Sequence, residues 1–509
     1  MTIIKEKIAK ALAPTLVITA IFFVTLYFFG MENTMIGPFA TLSFLRYRSM
    51  CNHYECMLKN FAIYIIMAVL AYFAVLSFGL CILLNALALF WIAYFLIDEY
   101  NPTNYFPAGM ALIFFQIAPV HTPHALLLRI GALIATFVIV FLFVFVLTHL
   151  QKKEHLLLQL LQSGFDNCKK QLDACTSGKE QELDALHHEL CDINKKCSGE
   201  IYSYNRASIR MKGKTNWYCR FIIAFQVINY LTLNYRQEDN LVKAEKLYTD
   251  FYNLFQNYEP KADYKRLRFR DNRPDIHNFR FRFALRQVIT LTPCLLYAYI
   301  SDAQNVYWLV ISVFFMMIPY SEHTVQRVKQ RVAGTIGGIV LCFVLFSVFQ
   351  SFPARVVIMT IANFFIYGAN GYTPTVVYIT CSALALQTLN DTISIVLLQR
   401  LIYTLVGAGI ALLANRFIFS IHSKKQMYYM KELLRKICGE LAELTRSMSP
   451  GSEERRRQID QRIIKSYLLS KRLETLHNTL PPQERDMDYI SFEKEHMTFL
   501  ASFLSKELI

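Results

Sequence analysis

Residues 125–148 read ALLLRIGALIATFVIVFLFVFVLT, an apolar run interrupted by a single charge, Arg129. About 20 apolar residues carry an α-helix across a bilayer, so this run predicts a transmembrane helix. It closes a long oily block, about Ile8–Leu150, and a second block of the same character runs from about Phe283 to Ile421. Each block is far too long for one crossing and has room for about six. The sequence therefore predicts an all-α, polytopic membrane protein with two six-helix transmembrane halves.

The bulk numbers fit that class. The 509 residues are 54% hydrophobic and 18% charged, with most of the charge outside the two blocks. In a soluble protein a net charge of +15 would raise nucleic acid as a partner. Beside membrane spans it is accounted for by Lys and Arg collecting on cytoplasmic loops, and no nucleic-acid partner is expected. The twelve cysteines do not form a secreted disulfide pattern. Cys81, Cys294, Cys342 and Cys381 fall in apolar runs, where thiols act as small hydrophobes. Cys168, Cys175, Cys191, Cys197 and Cys219 fall in a polar tract assigned to the reducing cytoplasm. His187, His188 and Cys191 lie close together, but with no C-x-x-C beside them they read as helix-surface residues, and neither metal nor cofactor is expected. Lys5, Lys7 and Lys10 precede an apolar run, about Ala11–Phe29, in the manner of a signal peptide. The run is long for that and no small-residue cleavage site precedes Glu32, so it reads as the first span.

Spans are predicted near 11–29, 33–46, 59–78, 80–97, 105–119 and 125–148, then near 286–301, 305–320, 332–350, 355–369, 373–389 and 394–419. Several are short or polar, so a count from ten to twelve stays open. With the N-terminus inside, the inner loops carry Arg46, Arg48 and Lys59, then Lys152 and Lys153, then Arg327, Lys329 and Arg331, then Lys424 and Lys425. The outer loops, around Asn33, His121, Asp302 and Asp391, carry almost no Lys or Arg, with Arg355 the exception. This asymmetry places both termini in the cytoplasm.

The halves also echo each other. Tyr105-Phe106-Pro107 returns as Tyr372-Thr373-Pro374, and the spacing from Gln116 to Arg129 returns from Gln387 to Arg400. An even number of crossings per half makes this a parallel repeat about an axis along the membrane normal. Four segments follow: a first transmembrane half (1–150), a helical cytoplasmic insert (151–282), a second transmembrane half (283–421) and a helical cytoplasmic tail (422–509). The insert shows helical spacing at Leu156–Leu161, Leu183–Leu190 and Leu241–Phe255, with breaks near Ser177-Gly178, Gly213 and Pro260. The tail reads as three helices separated by Ser449-Pro450-Gly451 and Pro481-Pro482. The two tracts are expected to pack together beneath the membrane part.

The sharpest local pattern opens the second half. Arg286 starts its first span, Tyr307-Trp308 begins the next, and Pro319 ends it. Thr324-x-x-Arg327-x-x-x-Arg331-x-x-Gly334-Thr335-x-Gly337-Gly338 follows. In these residues the chain resembles the fusaric acid resistance and aromatic acid exporter family of bacterial inner-membrane proteins. The two-block layout with a helical insert also looks like that family. The motif covers only about Arg286–Gly338, and the first half departs from it, with Lys59-Asn60 and no Gly-Thr-x-Gly-Gly at the corresponding place. The resemblance implies a bacterial inner-membrane transporter, not an enzyme, that exports small organic anions such as aromatic carboxylic acids.

The residues themselves carry part of that reading. Gly334-x-x-x-Gly338, with Gly337, is a small-residue face on which a neighbouring helix can sit close, and Thr335 can hydrogen-bond across the contact. Arg327 and Arg331 are one turn apart on one helix face, where they and Thr324 can meet an anionic solute or lipid phosphate. Arg129 and Arg400 each lie several residues inside an apolar run, at a cost of about 2.5–3.5 kcal/mol at mid-membrane. Beside Gln116 and Gln387, their guanidinium forks would suit a carboxylate, and snorkelling to the outer interface is the plainer use. Tyr105, Phe106, Tyr307, Trp308 and Tyr372, near span starts, can form an apolar pocket for an aromatic ring. Asp98, Glu99, Asp302, Glu322 and Asp391 all fall at span ends, so no proton relay is evident. There is no Walker A stretch and no catalytic triad or paired carboxylate site. Lys265, Arg266, Arg268, Arg270, Arg273, Arg280, Arg282 and Arg286 form a basic stretch suited to anionic lipid headgroups. A passive organic-anion channel and a non-transporting scaffold for a cytoplasmic partner remain as alternatives. A homo-oligomer or an accessory efflux subunit is compatible with the sequence.

Overall fold

The computed structural model describes residues 2–49, 54–97, 103–151, 156–207, 212–237, 239–257, 278–387, 392–447, 453–480, 485 and 488–508. Among them every regular element is a helix. In chain order these are α1 (Thr2–Phe29), α2 (Ile36–Ser49), α3 (Tyr54–Ala74), α4 (Phe78–Leu96), α5 (Phe106–Ile117) and α6 (Pro123–Gln151), then α7 (Leu156–Ser177), α8 (Glu180–Ala207), α9 (Lys212–Leu233) and α10 (Asn240–Asn257). There follow α11 (Phe279–Ile300), α12 (Tyr307–Met316), α13 (Ser321–Val348), α14 (Phe352–Gly368), α15 (Tyr372–Gln387) and α16 (Ile393–Phe417), then α17 (Ser423–Ser447), α18 (Glu453–Thr479) and α19 (Tyr489–Leu508). Asp98, Glu99, Lys152, Lys153, Asp391, the basic residues from Lys265 to Arg273 and the breaks at Pro260, Ser449-Pro450-Gly451 and Pro481-Pro482 lie outside the described residues, as do the side chains of Arg48, Cys219 and Glu322.

The chain divides into two compact units. One comprises Met1–Ser49, Met57–Leu147 and Arg273–Ser423, the other Met50–Cys56, Thr148–Asn272 and Lys424–Ile509. In the first unit, α1, α3, α4, α6, α11, α13 and α16 contain seven stretches long and apolar enough to cross a bilayer. Their outward faces carry bare apolar side chains, such as Leu127, Val340, Val348 and Phe417. Water would not tolerate so wide an exposed apolar surface, and lipid would. The protein is an all-helical, multi-pass membrane protein.

Between the long helices lie short ones. The stretches expected to cross near 105–119 and 305–320 are only 12 and 10 residues long as helices. At 1.5 Å per residue they reach about 18 and 15 Å, against a hydrocarbon core of about 30 Å. Proline gives the reason. Ala118 precedes Pro119 and Ile318 precedes Pro319, and a residue before proline is pushed out of the helical region. Accordingly α5 stops at Ile117 and α12 at Met316, with Met317 in extended backbone. The two short helices meet through aromatic rings: Phe106 lies 5.6 Å from Phe314 and 5.9 Å from Phe315 between centroids. Further contacts between the blocks join α4 to α11, through Phe90 and Phe281, and α1 to α14.

The second unit is a helical module whose apolar faces close around Phe165, with ring contacts to Phe221, Phe225 and Tyr252. Gly178, at φ 71, ends α7 in the left-handed conformation that glycine adopts freely. Insert and tail pack on each other. Lys195 on α8 pairs with Glu474 on α18 at 2.8 Å and with Glu493 on α19 at 3.1 Å, and the Tyr467 hydroxyl donates to Gln226. His187 and Cys191 serve structure: His187 Nε2 meets the Thr232 hydroxyl at 3.2 Å, and Asn229 donates to the Cys191 sulfur.

Two buried histidines give this unit a pH dependence. Burial pulls the pKa of His187 and of His496 down to about 4, from an ordinary value of 6.5. The folded unit thus holds both rings neutral, while the unfolded chain protonates them near 6.5. Their contribution is complete above pH 6.5 and is lost progressively as pH falls toward 4. A tenfold change in proton affinity is worth about 1.4 kcal/mol, so the two rings together amount to a few kcal/mol. The denaturation midpoint is expected to fall between pH 7.5 and 4.5, and to fall less in the His187→Gln, His496→Gln double variant. Equal slopes in the two proteins would refute this account.

Candidate functional site

Among the described residues, six arginines of the membrane-helix unit are buried: Arg129, Arg280, Arg286, Arg331, Arg355 and Arg400. No carboxylate is buried there among the described side chains. What each guanidinium touches separates structural residues from a candidate site.

Three of them cap helix ends. The last carbonyls of a helix lack partners within it, and the helix dipole makes that end negative. Arg129 reaches the end of α5, where its Nη1 donates to the Phe115 carbonyl at 3.0 Å, its Nη2 to the Ala118 carbonyl and its Nε to Asn33 Oδ1 at 3.1 Å. Arg286 closes α16 through the carbonyls of Ile418 (3.1 Å) and Phe419 (2.8 Å) and through Asn415 Oδ1 (3.0 Å). Arg355, the charge misplaced for an outer loop, donates to the Phe346 carbonyl at the end of α13 and stacks on the Phe346 ring at 3.8 Å. The half-buried Arg327 does the same for α12, donating from Nε to the Phe315 carbonyl at 2.9 Å.

The residues around that α12 end are also structural. The Thr324 hydroxyl donates toward the carbonyls of Ile318 and Tyr320, both at 3.1 Å, and accepts from the Ile318 amide at 3.4 Å. Tyr105 donates to the Met317 carbonyl at 2.9 Å. These bonds lock the extended turn before α13. Gln116 forms a two-way amide pair with Asn85, at 2.7 and 2.9 Å. Gln387 donates to Asn305 and, at 2.7 Å, to the Tyr307 hydroxyl. Neither glutamine is hydrogen-bonded to an arginine.

Arg400 stands apart. It is 0% exposed, and among the described residues no acceptor reaches its Nε, Nη1 or Nη2. Its guanidinium lies 3.9 Å from the centre of the Trp308 ring, a cation–π stack. Arg331, Tyr307, Tyr372 and Cys342 lie within electrostatic range of it. Arg331 donates to the Tyr372 hydroxyl at 3.3 Å, leaving its own Nε without a partner. Arg327 stacks on the same tyrosine, 4.0 Å over the Tyr372 ring. Trp308 Nε1 and the hydroxyls of Ser312, Thr335 and Thr380 are buried without a hydrogen-bond partner. Thr335, expected to bond across a helix contact, makes no such bond. The structure thus places Trp308, Tyr307, Arg331 and Tyr372 around Arg400, with Arg327 stacked on Tyr372, and puts Arg129, Gln116 and Thr324 to other uses.

Helix packing builds this cluster. A Cβ on Gly334 would stand 2.7 Å from the Thr373 carbonyl oxygen, and one on Gly338 2.7 Å from Thr380 Cβ. Gly337 is less confined, with Val377 at 3.2 Å. The contacts Arg331–Tyr372, Gly334–Val376 and Gly338–Thr380 advance together along both chains, so α13 and α15 run parallel. Trp308–Arg400 and Ser312–Gly407 show the same for α12 and α16. Gly407, where a Cβ would meet Ser312 Cβ at 2.8 Å, brings α12 against α16. Sequence reasoning missed this residue, although Gly407-Ala408-Gly409 is a small-residue signal of the same kind as the one in α13.

Comparisons with known proteins reach part of the chain. An uncharacterized protein of Haemophilus influenzae (strain ATCC 51907 / DSM 11121 / KW20 / Rd) is 27% identical over 142 residues, 27% of this chain and 20% of that protein. The chain thus aligns with about a fifth of its relative's length. No solved structure matches. Residues 293–414, which hold Trp308, Arg331, Gly334, Tyr372 and Arg400, match the family described as fusaric acid resistance protein-like, the one that the second-half motif resembles.

Proposed function

We propose that the protein is a transporter that exports small organic anions, with aromatic carboxylic acids as the substrate class, across a bacterial inner membrane. The observation that carries this reading is the unpartnered guanidinium of Arg400 stacked on Trp308. Its fork of donors matches a carboxylate in a bidentate pair, and Trp308, Tyr307 and Tyr372 supply faces for an aromatic ring. Arg331 and Arg327 continue the positive charge along α13. The family match supports a transporter-type membrane protein.

The parallel repeat is part of the same proposal. Both blocks run through six helices, and in each the second and fifth are the shortest. The contacts α1–α14 and α4–α11 exchange under that correspondence. Parallel α13 and α15, and parallel α12 and α16, are what single crossings by α12 to α16 would give. Short, proline-ended helices beside a buried charge are also how secondary transporters expose a binding site at mid-membrane. Both termini then lie in the cytoplasm with insert and tail.

Flux in reconstituted vesicles tests the proposal. Radiolabelled benzoate is expected to accumulate against its gradient in protein-containing vesicles when a pH step is imposed. Current that merely follows voltage would favour a passive anion channel, a reading to which the lack of a buried carboxylate among the described side chains lends support. No flux of any aromatic or aliphatic carboxylate would reject both and favour a scaffold.

A further inference from the structure

We infer that Arg400 holds a small inorganic anion of the halide class whenever the organic substrate is away, and that the two compete for one site. This rests on the reading of Arg400 as the anion site.

A guanidinium keeps its proton at any accessible pH and carries five N–H donors in its plane. Trp308 covers the flat face of Arg400, and stacking leaves the donor edge unserved. No acceptor among the described residues reaches any of the three nitrogens, and the side chain is 0% exposed. A buried charge without a partner is costly, and arginine cannot escape that cost by becoming neutral. The neighbourhood adds to it. Arg331 is a second cation within range, with its own Nε unpartnered. Like charges repel strongly in a medium of low dielectric constant, and no carboxylate is buried in this unit among the described side chains.

The other arginines show that this is a local choice of the fold. Arg129, Arg286 and Arg355 lie equally deep, and each donates to helix-end carbonyls. Arg400 is left with all three nitrogens open, and Arg331 Nε and the indole N–H of Trp308 are open as well. An acceptor bearing negative charge at the donor edge of Arg400 both serves those open donors and offsets the repulsion from Arg331, whereas a neutral acceptor leaves the repulsion in place. Size selects a monoatomic anion for the closed state. Trp308 packs on the guanidinium, and Gly407 against Ser312 draws α12 onto α16. An aromatic acid asks far more room between those helices than a halide does. Either anion offsets the charge of Arg400, so the organic anion leaves by replacement.

Trp308 reports on the site directly. The chain has three tryptophans, and the Trp91→Phe, Trp217→Phe double variant leaves Trp308 alone. Iodide, titrated at constant ionic strength against gluconate, is expected to quench this tryptophan saturably. Benzoate is expected to reverse the quenching, and Arg400→Gln to remove its saturable part. Quenching that is linear and identical in Arg400→Gln would overturn the proposal. If the double variant does not fold, the wild-type melting temperature decides: higher in chloride than in gluconate supports the site, and no difference rejects it. Saturable quenching that benzoate leaves untouched would uphold the halide but remove organic anions from Arg400. Stabilisation by benzoate with none by halide would overturn the halide and leave the transport reading standing.

Discussion

In gluconate buffer, where no halide is present, Arg400→Ala is expected to abolish organic-anion flux while leaving the melting temperature unchanged or higher. Most buried arginines give the opposite result, because their removal strands hydrogen-bond partners. Arg400 has none to strand among the described residues, where no acceptor reaches its guanidinium. An unpaired charge inside the hydrocarbon costs up to about 2.5–3.5 kcal/mol on insertion, and the lost stack on Trp308 returns about 2 kcal/mol of that. Arg129→Ala supplies the contrast. It strands the carbonyls of Phe115 and Ala118, at about 1–3 kcal/mol for each buried group left unsatisfied. That variant should lower the yield of folded protein and its melting temperature. Size-exclusion profiles, melting curves and vesicle flux on both variants give the check. Wild-type flux in Arg400→Ala would take Arg400 out of the site, and a large loss of stability there would mean that it has a structural partner.

That contrast marks how far the sequence could be read. The membrane class was legible because bilayer thickness demands long apolar runs, and residues 125–148 supply one outright. Depth in such a run singled out Arg129 and Arg400 alike. Nothing local separates them, since the partners of a guanidinium come from other parts of the chain: Asn33 lies 96 residues from Arg129, and Ile418 lies 132 residues from Arg286. Part of the signal was available. Pro119 and Pro319 end helices inside the membrane unit, and a helix end buried there requires donors for its last carbonyls. Searching for arginines that meet that need would have pointed to Arg129 and Arg327 as caps. Thr324 was hidden for the same reason, because its hydroxyl serves a turn that follows an interrupted helix. The Gly-Thr-x-Gly-Gly segment was half legible. Its spacing announced a close helix contact but not the partner, α15, and Thr335 makes no bond across it.

That contact yields the second large effect. Gly334→Leu and Gly338→Leu should each sharply reduce the amount of folded protein. A Cβ at Gly334 would stand 2.7 Å from a backbone oxygen and 2.7 Å from Val376 Cβ. At Gly338 it would stand 2.7 Å from Thr380 Cβ and 2.8 Å from the Val377 oxygen. Neither a backbone carbonyl nor a branched Cβ can rotate away, so even alanine forces α13 and α15 apart. Overpacking typically costs about 1–3 kcal/mol, and leucine, with three more carbons in the same place, should exceed that range. At Gly337 the nearest atom is a side-chain methyl at 3.2 Å, which has some freedom to yield, so Gly337→Ala should be milder. Gly409 has nothing within 4 Å, and Gly409→Leu should leave folding intact. The series controls for helix propensity, since every change replaces glycine within a helix and gains about the same from doing so. Separation of α13 from α15 would also draw Tyr372 away from Arg331, so the alanine variants that still fold should lose flux in the order Gly338 and Gly334 first, then Gly337, with Gly409 unaffected. Equal yields and melting temperatures at all four positions would show that the close approach of the two helices does not hold this half together.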